Sequence, residues 1–280
     1  MSSCSVNGIR YTALVSGLLV SSLLGSGCAT ICDQVRWCPY CPPDCQLAED
    51  ATDSQVITHL NSNTRSLKSW RSTSASILAR SKGGLPVTLA ANLAVSQPRH
   101  FRLRASLLGS NEVDLGSNAE RFWFWIRRSE QRHVITVGHE ELPKVKSQLS
   151  LPFEPVWLIE ALGVVPLNPQ EWTVLHSRPE ERQLFLAAEQ RSPRGVLVRK
   201  QLVVDTCQGV ITEQSLFDES SRLIARARMS DHRKDAETGI VLPRRIELEW
   251  PEAEIVLTIK LRQVEINPVE TPAATWQVPR

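Results

Sequence analysis

The feature that most constrains the fold is a two-residue hydrophobic period that recurs between residues 70 and 266. In its clearest segment, Ile246, Leu248 and Trp250 alternate with Glu247 and Glu249. Successive side chains of a β-strand point to opposite faces, so this alternation predicts strands with one apolar and one wetted face. Strands of this kind are typical of an antiparallel sheet that shields a core on one side.

Turn-forming residues divide the periodic region into short strands. The dipeptide Gly83-Gly84 and the tripeptides at 109–111 and 116–118 are examples in the first half. Short alternating runs separated by turns predict a meander. The predicted strands are 70–78, 87–95, 100–107, 112–115, 121–127, 133–137, 171–177, 182–188, 196–205, 210–217, 223–229, 245–250 and 254–266.

Two segments have a helical pattern instead. Residues 49–67 lack glycine and proline, and Val56, Leu60 and Leu67 recur at helical spacing after an N-cap at Asp53 or Ser54. The second segment, 152–168, starts with a proline and stops at a glycine, which predicts a short helix in the middle of the chain. Polar residues are scarce on this second helix, so it must be covered on most sides or face an apolar partner.

The N-terminal segment predicts export. A polar start with one cation, Arg10, precedes the apolar run Tyr11 to Leu24 and the small residues 25–27. This is the plan of a secretory signal over residues 1–27, and the run is shorter than the roughly 20 residues that span a bilayer. Cys28 directly follows the small residues and resembles the site of bacterial lipoprotein signal peptidase, which implies a membrane anchor of fatty acyl groups such as palmitate on Cys28. The alternative is an ordinary signal peptide, with Cys28 as a disulfide partner.

Five of the seven cysteines lie directly after this signal, between residues 28 and 45. The cluster at 28–49 also contains three prolines and predicts a stiff tether before the folded domain. The four cysteines of this segment that follow Cys28 have two interpretations, either two disulfides or a zinc or iron–sulfur centre, and the export signal favours disulfides. Cys207 lies in an apolar stretch and is predicted to be a buried, unpaired thiol. The disulfide candidates are Cys32, Cys38, Cys41 and Cys45.

Composition predicts one folded domain and excludes two classes of function. With 42% hydrophobic residues and 22% charged residues, the region 50–280 is long enough for a single large β domain. A formal net charge of +2 without a clustered basic stripe argues against nucleic-acid binding. The six histidines form no pair at metal-ligand spacing, and the chain has no Gly-x-Ser-x-Gly elbow or phosphate-binding loop. We therefore expect no catalytic residue, no metal and no cofactor.

Several local sequences resemble one known family. These are Pro98 to Ser106 with the following Leu108-Gly109, the stretch Asp114 to Trp125, the element Leu242-Pro243-Arg244-Arg245, and the ending Val264 to Pro268 with Trp276 to Pro279. Together with the order helix, strands, helix, strands, they resemble the bacterial lipoprotein-localisation proteins of the LolA/LolB type. The resemblance covers residues 50–280 and mixes features of the carrier and receptor branches.

This resemblance implies a mainly β fold: a curved antiparallel sheet forms an incomplete, half-open barrel, and the N-terminal and central helices lie over its concave face. Such a barrel needs a lid helix or a bound acyl chain to exclude water from its apolar wall. We expect the wall and lid to bind acyl chains of a lipid or lipoprotein. Taken singly, each of these apolar residues is also compatible with ordinary core packing. The cavity candidates are Phe122, Trp123, Phe124, Trp125, Trp157, Leu158, Ile159 and Leu162.

A second hypothesis keeps the same fold and changes its role. If the concavity is permanently filled by the protein's own side chains, the chain is a structural lipoprotein that holds a partner complex at the membrane. In both cases the predicted location is the bacterial cell envelope. Ala29 after the anchor cysteine is not the aspartate that retains lipoproteins at the inner membrane of enteric bacteria. By analogy, the predicted site is the outer membrane, facing the periplasm.

Overall fold

The period-two segments form one antiparallel sheet of fourteen strands in the computed structural model, which describes residues 45–48, 50–129, 133–141, 155–176, 181–191 and 197–279. The strands are β1 (Ser69–Ser81), β2 (Val87–Ser96), β3 (His100–Leu107), β4 (Ser110–Ser117), β5 (Arg121–Ile126), β6 (Ile135–Gly138), β7 (Thr173–His176), β8 (Gln183–Arg191), β9 (Leu197–Asp205), β10 (Val210–Phe217), β11 (Leu223–Lys234), β12 (Val241–Trp250), β13 (Ile255–Lys260) and β14 (Glu265–Ile266).

The sheet consists of two meanders joined side by side. Strands β1 to β6 follow one another across one half, and β7 to β13 follow one another across the other. The halves meet where β1 pairs with β13, with Ile77 opposite Ile259. The two outermost strands, β6 and β7, are not paired with each other in the described part of the chain. The predicted fold class, a mainly β, half-open barrel, is therefore confirmed.

Most predicted strands are present, and the last one is divided. Residues 254–266 were expected to form one strand, but β13 ends at Lys260 and only the short β14 follows. The cause is a bulge in β1, which shifts the register of its pairing with β2 between Ser72 and Ala75. Opposite this bulge, the Gln263 backbone N–H donates to the Ser74 hydroxyl at 3.2 Å instead of continuing the backbone ladder.

The N-cap of helix α1 (Asp53–Ser66) lies one residue before the first of the two predicted caps. Thr52 is the N-cap: its hydroxyl accepts a hydrogen bond from the Gln55 backbone N–H, and the Gln55 side chain accepts from the Thr52 backbone N–H. This reciprocal capping box replaces the predicted caps at Asp53 or Ser54. On its buried face, Val56 and Ile57 pack with apolar residues of β7, β8 and β9.

Directional hydrogen bonds fix α1 on the sheet. The Asn61 side-chain amide donates to the Leu167 carbonyl at 2.8 Å, and its oxygen accepts from the Leu167 N–H at 2.7 Å. Asn63 makes the same two-way contact with the backbone of Val241, at 2.9 and 2.7 Å. Each asparagine side chain bonds both the backbone N–H and the carbonyl of one residue, as a residue of a neighbouring strand would. Helix α1 therefore has a defined position and register.

Helix α2 (Pro155–Ala161) is the short central helix, and it lies within the predicted segment 152–168. It ends before Gly163, whose φ of 79° is a left-handed conformation that suits glycine at a helix end. None of the described helices combines the length and apolar character needed to cross a bilayer.

The cysteine nearest the domain differs from its prediction. Cys45 forms a disulfide with Cys207. The interpretation of Cys207 as an unpaired core thiol is therefore wrong. Backbone pairing supports this contact, because the Leu47 N–H donates to the Thr206 carbonyl at 3.0 Å and holds the N-terminal segment beside the β9–β10 turn. Cys28, Cys32, Cys38 and Cys41 lie outside the described residues.

Replacing Asn61 with alanine should destabilise the domain. Asn61 is buried, and its removal leaves the Leu167 N–H and carbonyl without their partner, which costs about 1–3 kcal/mol. The free energy of unfolding can be measured by chemical denaturation. Asn92→Ala, at an exposed position of β2, is the matched control and should change stability by less than about 0.5 kcal/mol. Equal effects would contradict the role given to Asn61.

Candidate functional site

The inner face of the sheet carries the apolar side chains and is covered by α2. Trp157, Leu158, Ile159 and Leu162 are each at most 5% exposed and belong to one cluster with the strands of both meanders. We call this region the hollow. Its wall includes Leu93, Phe101, Leu103, Leu115, Leu248, Trp250, Leu257 and Ile259.

The hollow is almost filled by α2. The space left between Leu158, Leu162 and the wall is about 20 Å³, and apolar side chains surround it. A cavity needs about 10–15 Å³ of such space to hold one water, so this space is too small for an acyl chain. In this closed arrangement, the lid helix takes the place that the sequence analysis assigned to a ligand.

Six of the eight predicted cavity residues meet in this region. Phe122 and Phe124 of β5 point to the inner face and join the same cluster as Trp157, Leu158 and Ile159 of α2 and the adjoining Leu162. Their rings stack with centroids 6.1 Å apart. The predicted wall and lid are thus in one continuous apolar cluster. Of the eight predicted cavity residues, Leu158 and Leu162 are the two that line the 20 Å³ void.

Trp123 and Trp125 lie on the opposite, outer face, because neighbouring residues of a strand alternate between faces. Trp123 is buried against β4, where it lies opposite Gly116. A Cβ at Gly116 would overlap the Trp123 ring, so only glycine permits this close approach. The aromatic run at 122–125 is therefore divided between two faces and is not a single wall.

The outer face around Trp123 is a closed polar cluster. Arg102 lies over the Trp123 ring, 5.2 Å from its centroid, and forms a 2.6 Å ion pair with Asp114. The C-terminal segment covers the pair, and Arg102 also donates to the Gln277 carbonyl at 2.6 Å. Because this guanidinium is matched by a carboxylate and a carbonyl, the cluster holds the C-terminal segment on the sheet.

Mostly non-directional contacts hold α2. Its aromatic contact is edge-to-face, with the Trp157 and Trp250 centroids 6.3 Å apart. Among the described residues, its strongest polar contact is the 2.6 Å ion pair between Glu160 and Lys200 of β9. The Lys200 side chain is 11% exposed and that of Glu160 is 22% exposed, so water screens this pair only partly.

Lys200 was not among the predicted site residues, although the pattern of β9 indicates its buried position. Along β9, Lys200 shares its face with Leu202 and Val204, which are both buried. A cation at an inward position of an otherwise apolar strand indicates a buried partner. That partner is on a distant helix, and no local pattern identifies it.

Within the described ranges, no cluster of three or more histidine, cysteine, aspartate or glutamate side chains is arranged to hold a metal ion. The hollow itself presents carbon surfaces. The chemistry that this arrangement can perform is therefore binding by exclusion of water from apolar surface.

Comparison with solved structures identifies the fold. A LolA superfamily protein from Nitrosomonas europaea is 11% identical, with a TM-score of 0.53, and the match covers 81% of this chain and 98% of that one. A domain named for outer-membrane lipoprotein sorting, from Vibrio parahaemolyticus, is 7% identical, with a TM-score of 0.50 and coverage of 80% and 97%. No family model and no curated protein matches the sequence. The chain has the LolA/LolB-like fold.

Replacing Lys200 with methionine should loosen α2. The Glu160 carboxylate then remains partly buried without its cation, and loss of a charged hydrogen bond of this kind costs roughly 1.5–3 kcal/mol. Thermal or chemical unfolding measures the loss. The double variant Lys200→Met/Glu160→Gln should recover most of it. Lys82→Met, which breaks the exposed ion pair with Glu254, should cost less than about 1 kcal/mol.

Proposed function

We propose that this protein is a bacterial envelope lipoprotein that binds acyl chains of a lipid or lipoprotein in the hollow after α2 moves away. The observation that carries the proposal is that a short helix, held mainly by apolar contacts, fills the inner face of an open barrel. Hydrophobic contacts have no preferred direction, so an acyl chain of similar surface can replace them. The likeness to lipoprotein-sorting folds supports the same function, with Cys28 as the membrane anchor.

The cost of exposing the lid helix and the gain from burying an acyl chain together indicate where α2 moves away from the wall. Exposing Trp157, Leu158, Ile159 and the adjoining Leu162 to water costs about 1.5–3 kcal/mol each, or about 6–12 kcal/mol in total, which is comparable to the stability of a whole domain. An acyl chain from water contributes about 0.8 kcal/mol per methylene and so offsets this cost at about 8–15 methylenes. We therefore expect opening at a membrane or a partner protein, where α2 also finds an apolar surface.

The scaffold role is the second candidate, and the 20 Å³ void favours it. If α2 never leaves, the hollow is simply the core of a domain that holds partners at the membrane. The two candidates differ in whether the hollow takes up lipid.

Lipid uptake separates these candidates. Protein purified from membranes should carry phospholipid or fatty acid detectable by mass spectrometry, and it should bind a solvatochromic fatty probe. Leu158→Asp should abolish probe binding, because it places a carboxylate against the wall of the hollow. Trp125→Asp, on the outer face, is the matched control and should leave binding unchanged. A protein without bound lipid or probe would be assigned the scaffold role.

The anchor has its own test. Cys28→Ser should yield an unprocessed precursor or a soluble product, because the acylated residue is gone. Metabolic labelling with radioactive palmitate, followed by membrane fractionation, measures both effects. If the serine variant were still cleaved and retained at the membrane, lipid attachment at Cys28 would be excluded.

A further inference from the structure

A second, larger cavity lies on the other side of Leu162 from the hollow, and Leu162 lines both. It is bounded by α1, by the end of α2 and by the β9–β10 and β11–β12 hairpins, and its volume is about 320 Å³. We call it the crevice. It reaches the surface, because exposed residues such as Ser62, Gln208 and Lys234 form part of its lining. Its volume is within the roughly 300–1,000 Å³ that is usual for small-molecule sites.

The inner wall of the crevice is apolar because it runs along the boundary between the two core clusters. Leu60 belongs to the cluster under α1, whereas Met229 and Leu242 belong to the cluster under α2. Ile211 packs against both. All four side chains line the crevice, so it offers a continuous carbon surface between two cores that do not close on each other.

One buried polar group also lines the crevice. Gln214 of β10 is 6% exposed and lies on the inner face, between Leu202 and Ala227 of the flanking strands. Its side-chain amide adds a polar group to this part of the crevice wall. A polar ligand atom or a water in the crevice can exchange hydrogen bonds with this amide.

Lys234 places a positive charge on the rim of the crevice, and the carboxylates of Asp205 and Asp231 act on the neighbouring His232. His59, His232 and Lys234 line the crevice, and among the described lining residues the single carboxylate is Glu160, which Lys200 neutralises at 2.6 Å. Burial lowers the pKa of His232, while a hydrogen bond with the Ile211 backbone opposes that shift. The His232 ring donates its N–H to the Ile211 backbone, so Lys234 is the group that supplies positive charge to an acidic ligand.

We propose that the crevice is a preformed binding site for an anionic single-chain amphiphile, with its acyl chain along Leu60, Met229 and Leu242 and its acidic head group beside Lys234. Either a carboxylate or a phosphate head group can form an ion pair with Lys234 at the rim. This site is independent of the hollow, because α2 stays in place when the crevice is occupied.

Photocrosslinking of the full chain, reconstituted in phosphatidylcholine vesicles, tests this site. The probes are dodecanoate and dodecyl phosphate that carry a diazirine near the end of the chain, and dodecanol with the same group is the neutral control. Peptide mass spectrometry should place the label of the anionic probes on segments that contain Leu60, Met229 or Leu242. Comparison of the two anionic probes tells whether the site prefers a fatty acid or a phosphate.

Two variants test the parts of the proposal separately. Lys234→Glu should reduce labelling by the anionic probes roughly threefold to tenfold and leave labelling by dodecanol unchanged. Lys260→Glu makes the same charge change on an exposed position of β13 and should have no effect. Ile211→Trp should fill the crevice and reduce labelling by all probes; an unchanged unfolding midpoint would verify that this variant is folded.

Three results would overturn the proposal. Equal crevice labelling by dodecanol and dodecanoate would exclude recognition of the negative charge. Label on segments with Leu103 or Leu158, and none in the crevice, would leave only the hollow as a binding site and so support the proposed function alone. Label in neither place would exclude the crevice site and argue against the hollow as well.

Discussion

An open sheet with an apolar inner face is the constraint on which the rest of this structure depends. In the described residues, β6 and β7 do not close the barrel, so the inner face cannot be sealed by the sheet itself. Apolar surface exposed to water costs about 25 cal/mol per Å². The chain meets this cost with two helices, one at the N-terminal end of the domain and one between the two meanders.

The two helices are attached by different kinds of contact, and this difference has functional consequences. Asn61 and Asn63 fix α1 through paired hydrogen bonds to backbone groups, which only one register can satisfy. Apart from the Glu160–Lys200 ion pair, α2 is held mainly by packing. Hydrogen bonds specify a position, whereas apolar contacts can be exchanged for other apolar contacts. We therefore regard α1 as a fixed wall and α2 as the replaceable lid.

Separate clusters under the two helices also explain the crevice. Each helix covers its own part of the sheet: α1 covers β7 to β9, whereas the cluster under α2 includes residues of β10 to β12, and the crevice lies where the two parts meet. A single continuous core would have no cavity of 320 Å³ at this boundary. An incomplete barrel with two lids can thus provide one site that needs a conformational change and another that is already formed.

Alternation along each strand depends only on neighbouring residues, so the sequence by itself determined most of the strands and an antiparallel sheet with one apolar face, while the half-open barrel was implied by the family resemblance. The same rule, strictly applied, also separates Trp123 from Phe122. Only the tertiary structure decided that Lys200 meets Glu160, that Cys45 meets Cys207, and that α2 fills the hollow. These contacts join residues far apart in the chain, and their geometry follows from sheet curvature and packing, which no local pattern encodes.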